Sequence, residues 1–416
     1  MRTPTAVLDL EISGKFTELN DIGDFAGALV LFRLHGRPLG WGAAQVTDGR
    51  VDRGALVRQL LEQHAWSCAL PLAERAIFSG IPPRAIDVGS VLQSQPAVLR
   101  GGPLVTVAVC NRTAAESLRP CLNSLIGLEY APLDLVVVDA SDDRRNVEAL
   151  VREHYPAIRY VAASGAGALA RGAIAECRGE ILALTQGDSL VDPRWVSHQA
   201  AVFLADPDVM AVSGLTLPQA IGRPMRAALP AGAPFCREWL RVEQGGDITA
   251  AVQRMLERPG VNVALWRPAS FTTAPYTHVF EPSAIVRAPS ASPFVPGNGR
   301  RVSLTHAARR LDLADALLPI ADSDGADDLM IDVSWEGLPI GTAQIAHRGA
   351  TVSPLWIADA IAQQLTVEIL DARLGVGEHV CRALLTADLA RHIVGRVGVE
   401  PRRAVAAARR NGVRAA

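Results

Sequence analysis

Leu104-Val105-Thr106-Val107-Ala108-Val109-Cys110, closed by the polar turn Asn111-Arg112-Thr113, is the stretch from which the fold is read. A short apolar run rich in β-branched residues and ended by a polar turn reads as a strand buried on both faces. A helical period begins at Ala114, and a second strand, Leu133-Asp134-Leu135-Val136-Val137-Val138, ends on Asp139. Further outward come an amphipathic segment from Asn146 to His154 and a strand from Ile158 to Ala162. A small-residue helix from Ala166 to Cys177 and a strand from Ile181 to Thr185 follow. Strands alternating with helices predict a parallel sheet. Ligand groups of such sheets gather beyond the carboxyl ends of the strands, where Asn111, Asp139 and the trio Gln186-Gly187-Asp188 fall.

The 416 residues allow one large domain and one or two smaller ones, and 49% hydrophobic content with 20% charge is that of a globular protein with a sizeable core. A net charge of -2 argues against nucleic acid as a bulk electrostatic partner. No apolar run approaches the roughly 18 to 20 residues that cross a bilayer. Asp9 and Glu11 interrupt the apolar N-terminal stretch, so no signal peptide is expected and the expected location is the cytoplasm. Cys68, Cys110, Cys121, Cys177, Cys236 and Cys381 are scattered without a C-x-x-C pair, which indicates neither a zinc site nor a disulfide framework.

Both ends of the chain carry the same pattern. Ala28 to Leu34, the turn Gly36-Arg37-Pro38-Leu39-Gly40, a strand at Gly42 to Val46 and a helix with Leu56, Leu60 and Leu61 make a hairpin followed by a helix. Leu329 to Val333, Gly337-Leu338-Pro339-Ile340-Gly341, Thr342 to Ala346 and a helix with Ile357, Ile361 and Leu365 repeat it at an offset of 301 residues, which also pairs Val51 with Val352. An internal duplication is the economical reading. An isolated hairpin is marginally stable, so the copies are expected to share a core with Leu29, Leu31 and Leu60 facing Met330, Val333 and Ile361. Trp41 or Trp335 would be offered to a protein partner. Linkers rich in Pro, Gly and Ser at Gln93 to Pro103 and Ala288 to Gly299 set the expected domains: 1–100, 101–299, 300–371 and a basic helical tail, 372–416. From Arg382 onward the tail has eight arginines against Asp388 and Glu400. It is either a solvated helix or a peripheral contact with anionic lipid at the inner face of the membrane.

Val105 to Arg112, Cys121-Leu122-Asn123-Ser124-Leu125, Leu135-Val136-Val137-Val138-Asp139, Arg178-Gly179-Glu180-Ile181 and Asp192-Pro193-Arg194-Trp195 together resemble family 2 glycosyltransferases of the GT-A fold. The resemblance covers about Pro103 to Leu217 and continues weakly at Gly260 to Leu265 and at Phe280-Glu281-Pro282-Ser283-Ala284. It implies an α/β fold: a Rossmann-like mixed, mainly parallel sheet with helices on both faces, here flanked by a small α+β module built from the two repeats. It also implies a nucleotide-diphosphate sugar, such as a UDP-sugar, as donor, and a divalent cation, magnesium or manganese, in an active member.

By resemblance, Asp139 stands where an acid accepts a nucleobase N–H; read by itself it is equally a turn aspartate, since Ser141-Asp142-Asp143 follow. Asn111 and Arg112 occupy the nucleoside-contacting loop, which is two residues shorter than the common form. A gap-free match places Ala170 on the family's arginine and Arg171 on its asparagine, leaving Arg171 a phosphate-binding candidate from a different helical angle. Gln186-Gly187-Asp188 stands for Asp-x-Asp: Asp188 matches the metal-binding acid, and Gln186 offers a neutral oxygen suited to a ribose.

Two departures bear on activity. The acidic pair that supplies the general base has no counterpart in Thr272 to Val279, and Val286-Arg287-Ala288 stands where a metal-binding histidine follows the Glu-Pro strand. His278 lies near in sequence, on the other side of that strand. Losing a general base costs roughly 10²- to 10⁴-fold in rate, so Glu243, Asp247 and Glu257 are the acids available for recruitment. Two readings stay open: a glycosyltransferase with an unidentified acceptor, or a catalytically inactive relative that serves as scaffold or sugar-nucleotide-binding partner of another transferase.

Overall fold

The computed structural model describes residues 5–14, 22–79, 98–221, 235–242, 247–268, 276–289, 305–322, 325–374 and 377–397. Two units divide the chain, one made of Met1–Pro96, Ala220–Cys236 and Arg301–Ala416, the other of Ala97–Gln219 and Arg237–Arg300.

In the first unit β1 (Thr5–Glu11) runs parallel to β2 (Gly27–Leu34), which turns back into β3 (Arg37–Thr47) and the short β4 (Arg50–Val51). Asp52 caps α1 (Arg53–Gln59) by accepting from the Gly54 N–H. The helical path continues through a π turn and a 3₁₀ turn into α2 (Ala69–Ser79).

The second unit begins with β5 (Gly101–Asn111), α3 (Ala115–Ile126), β6 (Ala131–Asp139), α4 (Arg144–His154) and β7 (Ile158–Ala162). It goes on with α5 (Ala168–Ala175), β8 (Ile181–Gln186), β9 (Leu190–Val191), α6 (Trp195–Ala205) and β10 (Val209–Pro218). The chain then returns to the first unit, where β11 (Ala220–Ile221) pairs antiparallel with β1. That backbone pairing interrupts the continuous 101–299 domain expected from the linkers. The second unit resumes with β12 (Glu238–Val242), α7 (Ile248–Leu256), β13 (Val263–Trp266) and β14 (Tyr276–Ala288). Its strands lie in the order β12-β14-β10-β13-β8-β5-β6-β7, with β9 beside β14. The β5–β6, β6–β7, β5–β8 and β10–β14 pairs are parallel, and β13 is antiparallel to both neighbours.

The period-2 geometry of β5 explains why its apolar run is continuous. Val105, Val107 and Val109 face a core with Leu118 and Leu122 of α3 and Trp195 of α6, while Ala108 and Cys110 face Leu169 and Ala173 of α5 and Leu256 of α7. The small residues of α5 follow from its close approach to the sheet: a Cβ at Gly172 would stand 2.7 Å from Val138 Cγ1. Asn262 ties the far half of the sheet to α6 by accepting from Trp195 Nε1 (2.7 Å) and Gln199 Nε2 (3.2 Å) while donating to the Leu215 and Ala284 carbonyls.

The remainder of the first unit comprises β15 (His306–Asp312), β16 (Asp328–Trp335), β17 (Leu338–Ala346), α8 (Pro354–Leu374) and α9 (Glu378–Val397). Each hairpin has one more strand beside it than was read from sequence: β1 runs parallel to β2 and β15 to β16 in matching register, Thr5 beside Gly27 and His306 beside Asp328. The turns are built alike. Glu11 accepts from the N–H groups of His35 and Gly36 (2.9 and 2.8 Å), and Asp312 from those of Glu336 and Gly337 (2.9 and 2.7 Å), again 301 residues apart. His35, Gly36, Glu336 and Gly337 all have positive φ, as a two-residue hairpin turn requires.

The Gln59 amide brackets both backbone groups of Ala43, and Gln364 brackets those of Gln344. The two hairpin-helix segments meet through helices, α2 against α8, and their sheets stay separate. Leu29, Leu31, Leu60, Val333 and Ile361 are buried, whereas Met330 is half-buried. Trp41 and Trp335, expected to be offered to a partner, are buried as well, because each sits on the covered face of its hairpin. In the tail, Arg382 stacks over Trp66 at 4.0 Å, and residues 398–416 lie outside the described residues. Among the described residues no helix is long and apolar enough to cross a membrane, and all six cysteines are free.

Candidate functional site

Parallel register sets Asn111 beside Asp139 and Cys110 beside Gln186, so the carboxyl ends of β5, β6 and β8 bring the candidate residues to one edge of the sheet. Asn111 is fully buried. Its Nδ2 donates to Asp139 Oδ1 and the Thr113 carbonyl (both 2.9 Å), and its Oδ1 accepts from Thr113 N and Oγ1. Its polar capacity is therefore directed at the protein. Asp139, also fully buried, accepts in addition from the Ser141 N–H and the Tyr160 hydroxyl, both at 3.0 Å. Burial and then the bond to Asp139 push the Tyr160 phenol up to about 12.

A cavity of ≈ 310 Å³ opens at the end of β8, at the lower end of the range for small-molecule sites, ~300 to 1,000 Å³. Arg112, Thr113, Gln186, Asp188, Glu257 and Arg258 give it polar walls, with Leu169, Leu256 and Pro259 beside them. Asp139 and Arg171 do not line it. Arg171 is exposed on α5, over the Gly167 turn. Gly187 is demanded by the crowding at this edge, since a Cβ there would fall on Asn111 Oδ1. Burial pushes the Cys110 thiol up to about 12, so it is no nucleophile.

Gln186 is committed to the protein. Its Nε2 donates to the carbonyls of Leu256 (3.2 Å) and Arg258 (3.1 Å), and its Oε1 accepts from the Gly260 N–H (2.8 Å). The turn 256–260, which carries Glu257 and Arg258, is thereby fastened to the end of β8. Asp188, by contrast, makes no side-chain hydrogen bond or ion pair among the described residues.

Of the three acids available as a base, Glu243 lies outside the described residues. Asp247 caps α7, its Oδ2 accepting from Ala250 N at 3.1 Å. Glu257 lines the cavity and accepts from Gln253 Nε2 at 3.2 Å. His278 is buried with Nε2 2.8 Å from Ser213 Oγ, and burial lowers its pKa to about 4.

The Glu281 carboxylate is held by Arg237 (Nε 2.8 Å, Nη2 2.7 Å) and the Ser283 N–H. Burial acts to raise its pKa, and Arg237, His198 and the Ser283 N–H outweigh it, leaving about 2.

A hard divalent cation takes about six oxygen ligands, one or two of them carboxylates and the rest from water and phosphate. Here the strand end offers Asp188 alone, Gln186 is turned to the protein, and no group of three His, Cys, Asp or Glu converges among the described residues. The donor set is a poor fit to a protein-held cation. Arg258, which sequence reasoning did not single out, reaches the cavity from a turn about 70 residues beyond β8. The Pro259-Gly260 pair marked a turn, and nothing in the sequence marked where it would land.

Residues 104–249 match the family described as Glycosyl transferase family 2. The mixed, mainly parallel sheet with helices on both faces agrees with the GT-A architecture. No curated protein matches the chain. Among solved structures, TarS of S. aureus is similar at 15% identity over 40% of this chain and 47% of that one, with a TM-score of 0.27. The same protein in complex with UDP gives 16% identity, 39% and 47% coverage, and 0.27. The mannosyltransferase PcManGT from Pyrobaculum calidifontis, in complex with GDP-Man and Mn2+, gives 18% identity over 86% of this chain and 98% of that one, with a TM-score of 0.30. The chain spans about half the length of the TarS structures.

Proposed function

We propose that the second unit is a glycosyltransferase of low intrinsic rate that binds a nucleoside-diphosphate sugar at the carboxyl edge of its sheet and transfers the sugar to an acceptor hydroxyl. The observation that carries this reading is the cavity at the end of β8, where Arg112, Asp188, Glu257 and Arg258 converge inside a strand framework whose residues 104–249 match family 2. Two guanidinium groups suit the anionic diphosphate. Buried Asp139 and Asn111 hold the neighbouring strand ends in register for the nucleoside. Glu257 is the acid placed to take a proton from an acceptor hydroxyl as the sugar C1–O bond to the diphosphate breaks and the bond to the acceptor oxygen forms. The low rate follows from a single exposed carboxylate doing the work of an acidic pair.

A second reading, a catalytically silent sugar-nucleotide binder that partners another transferase, is favoured by one specific observation: Asp247 and Gln186 are spent on a helix cap and on the 256–260 turn. Calorimetric titration with UDP and GDP, followed by assays of sugar-nucleotide hydrolysis and transfer, decides between them. Binding with slow turnover is the expected result. Binding without turnover selects the second reading, and absence of binding removes both.

A further inference from the structure

The amide of Gln186 makes a combination of bonds that no acid can make. It donates both of its N–H groups, to the carbonyls of Leu256 and Arg258, and accepts from the Gly260 N–H. Leu256 O is one of the carbonyls left without an intrahelical partner at the end of α7, so the donor it receives is a structural need. An ionised Glu or Asp at 186 would set negative oxygen against two carbonyl oxygens with no proton between them. Holding a cation and fastening this turn are therefore exclusive duties for position 186. This chain has the second.

What the fastened turn brings is charge. With Gln186 attached, Glu257, Arg258 and Pro259 form part of the wall of the cavity that Asp188 and Arg112 also line. Glu257 is held by Gln253, and Arg258 stands in the same wall with a planar, permanently charged group suited to paired phosphate oxygens. On the other side, the donor set at the strand end gives a cation little to hold.

We infer that Gln186 is a positioning residue that fixes the 256–260 turn so that Arg258 neutralises the diphosphate in place of a divalent cation, which makes nucleotide binding independent of metal. This rests on the donor-site reading above. It assigns the turn a ligand-binding role.

The test uses the full-length protein and compares UDP with uridine, and GDP with guanosine, by calorimetry in EDTA and in manganese chloride. For the unaltered protein, the diphosphate is expected to bind with a Kd that differs by less than about threefold between the two buffers, a small change on a scale where tenfold is ~1.4 kcal/mol. Arg258→Ala, at an exposed position, is expected to weaken the diphosphate in EDTA by roughly tenfold or more while leaving the nucleoside unchanged, as loss of a charge-assisted contact does. Gln186→Glu is expected to do the same and to speed hydrogen exchange at the Gly260 amide.

Binding that appears only with manganese overturns the inference and leaves the donor site standing. Absence of diphosphate binding in both buffers removes the donor site itself. Equal loss of diphosphate and nucleoside in Arg258→Ala, or unchanged diphosphate affinity, overturns the role of Arg258.

Discussion

Replacing Arg237 with alanine strands a buried charge, and the structure fixes the size of the effect. Glu281 is 3% exposed, with Arg237 2.7 to 2.8 Å from its Oε2, and the pairing leaves its pKa at about 2 against an ordinary 4.5. Breaking a buried ion pair by removing one partner costs ~3 to 5 kcal/mol, because the remaining charge is left buried and unpaired. The folded pKa is depressed, so this stability is fully present above pH 4.5 and is lost as pH falls towards 2. Without Arg237, burial pushes the carboxyl up, and the penalty is largest at neutral pH.

Because the chain has two units, a single unfolding transition is the wrong measure. Hydrogen exchange of the β14 amides at pH 7 and at pH 4 reads the local stability instead. Protection in Arg237→Ala should fall about a hundredfold at pH 7 and less at pH 4, as ~3 kcal/mol implies. Adding Glu281→Gln should recover part of it. Unchanged protection at pH 7 would refute the reasoning, because it would mean that the Glu281 charge is solvated without its partner.

Asp139→Ala removes the acceptor for Asn111, Ser141 and Tyr160 together and, since Asp139 does not line the cavity, should weaken UDP or GDP in calorimetry through the strand ends it holds; unchanged affinity reduces Asp139 to a turn residue. Glu257→Gln should lower sugar transfer by roughly 10²- to 10⁴-fold with nucleotide affinity intact, and an unaltered rate would remove it as base. Asp312 is held down to about 2 chiefly by the Ala314 and Gly337 N–H groups, so its contribution is present above pH 3.8 and lost as pH falls through 2. Asp312→Asn should therefore weaken protection of the Glu336 and Gly337 amides at pH 7 and remove the further loss on acidification, and an unchanged acid profile would show that other groups set it.

The alternation from Leu104 to Thr185 was enough to order β5 to β8 and to place Asn111, Asp139 and Asp188 at their carboxyl ends, because a strand buried on both faces must be apolar without interruption and polar residues appear where it stops. The two hairpins β2–β3 and β16–β17 were equally legible, since Gly36 and Gly337 mark turns at positive φ. The extra strands β1 and β15 were not, for their mixed apolar and charged residues pair by backbone and carry little pattern. Tertiary structure alone decided what the candidate residues do. Sequence offered Asn111 and Gln186 as ligand groups, and the fold turned the first to Asp139 and the second to the 256–260 turn. A primary amide binds whatever donors and acceptors the closed chain brings to it, and the partners of Gln186 lie 70 to 74 residues away. Local sequence fixes where a side chain starts, and only the packing of distant segments fixes what it meets.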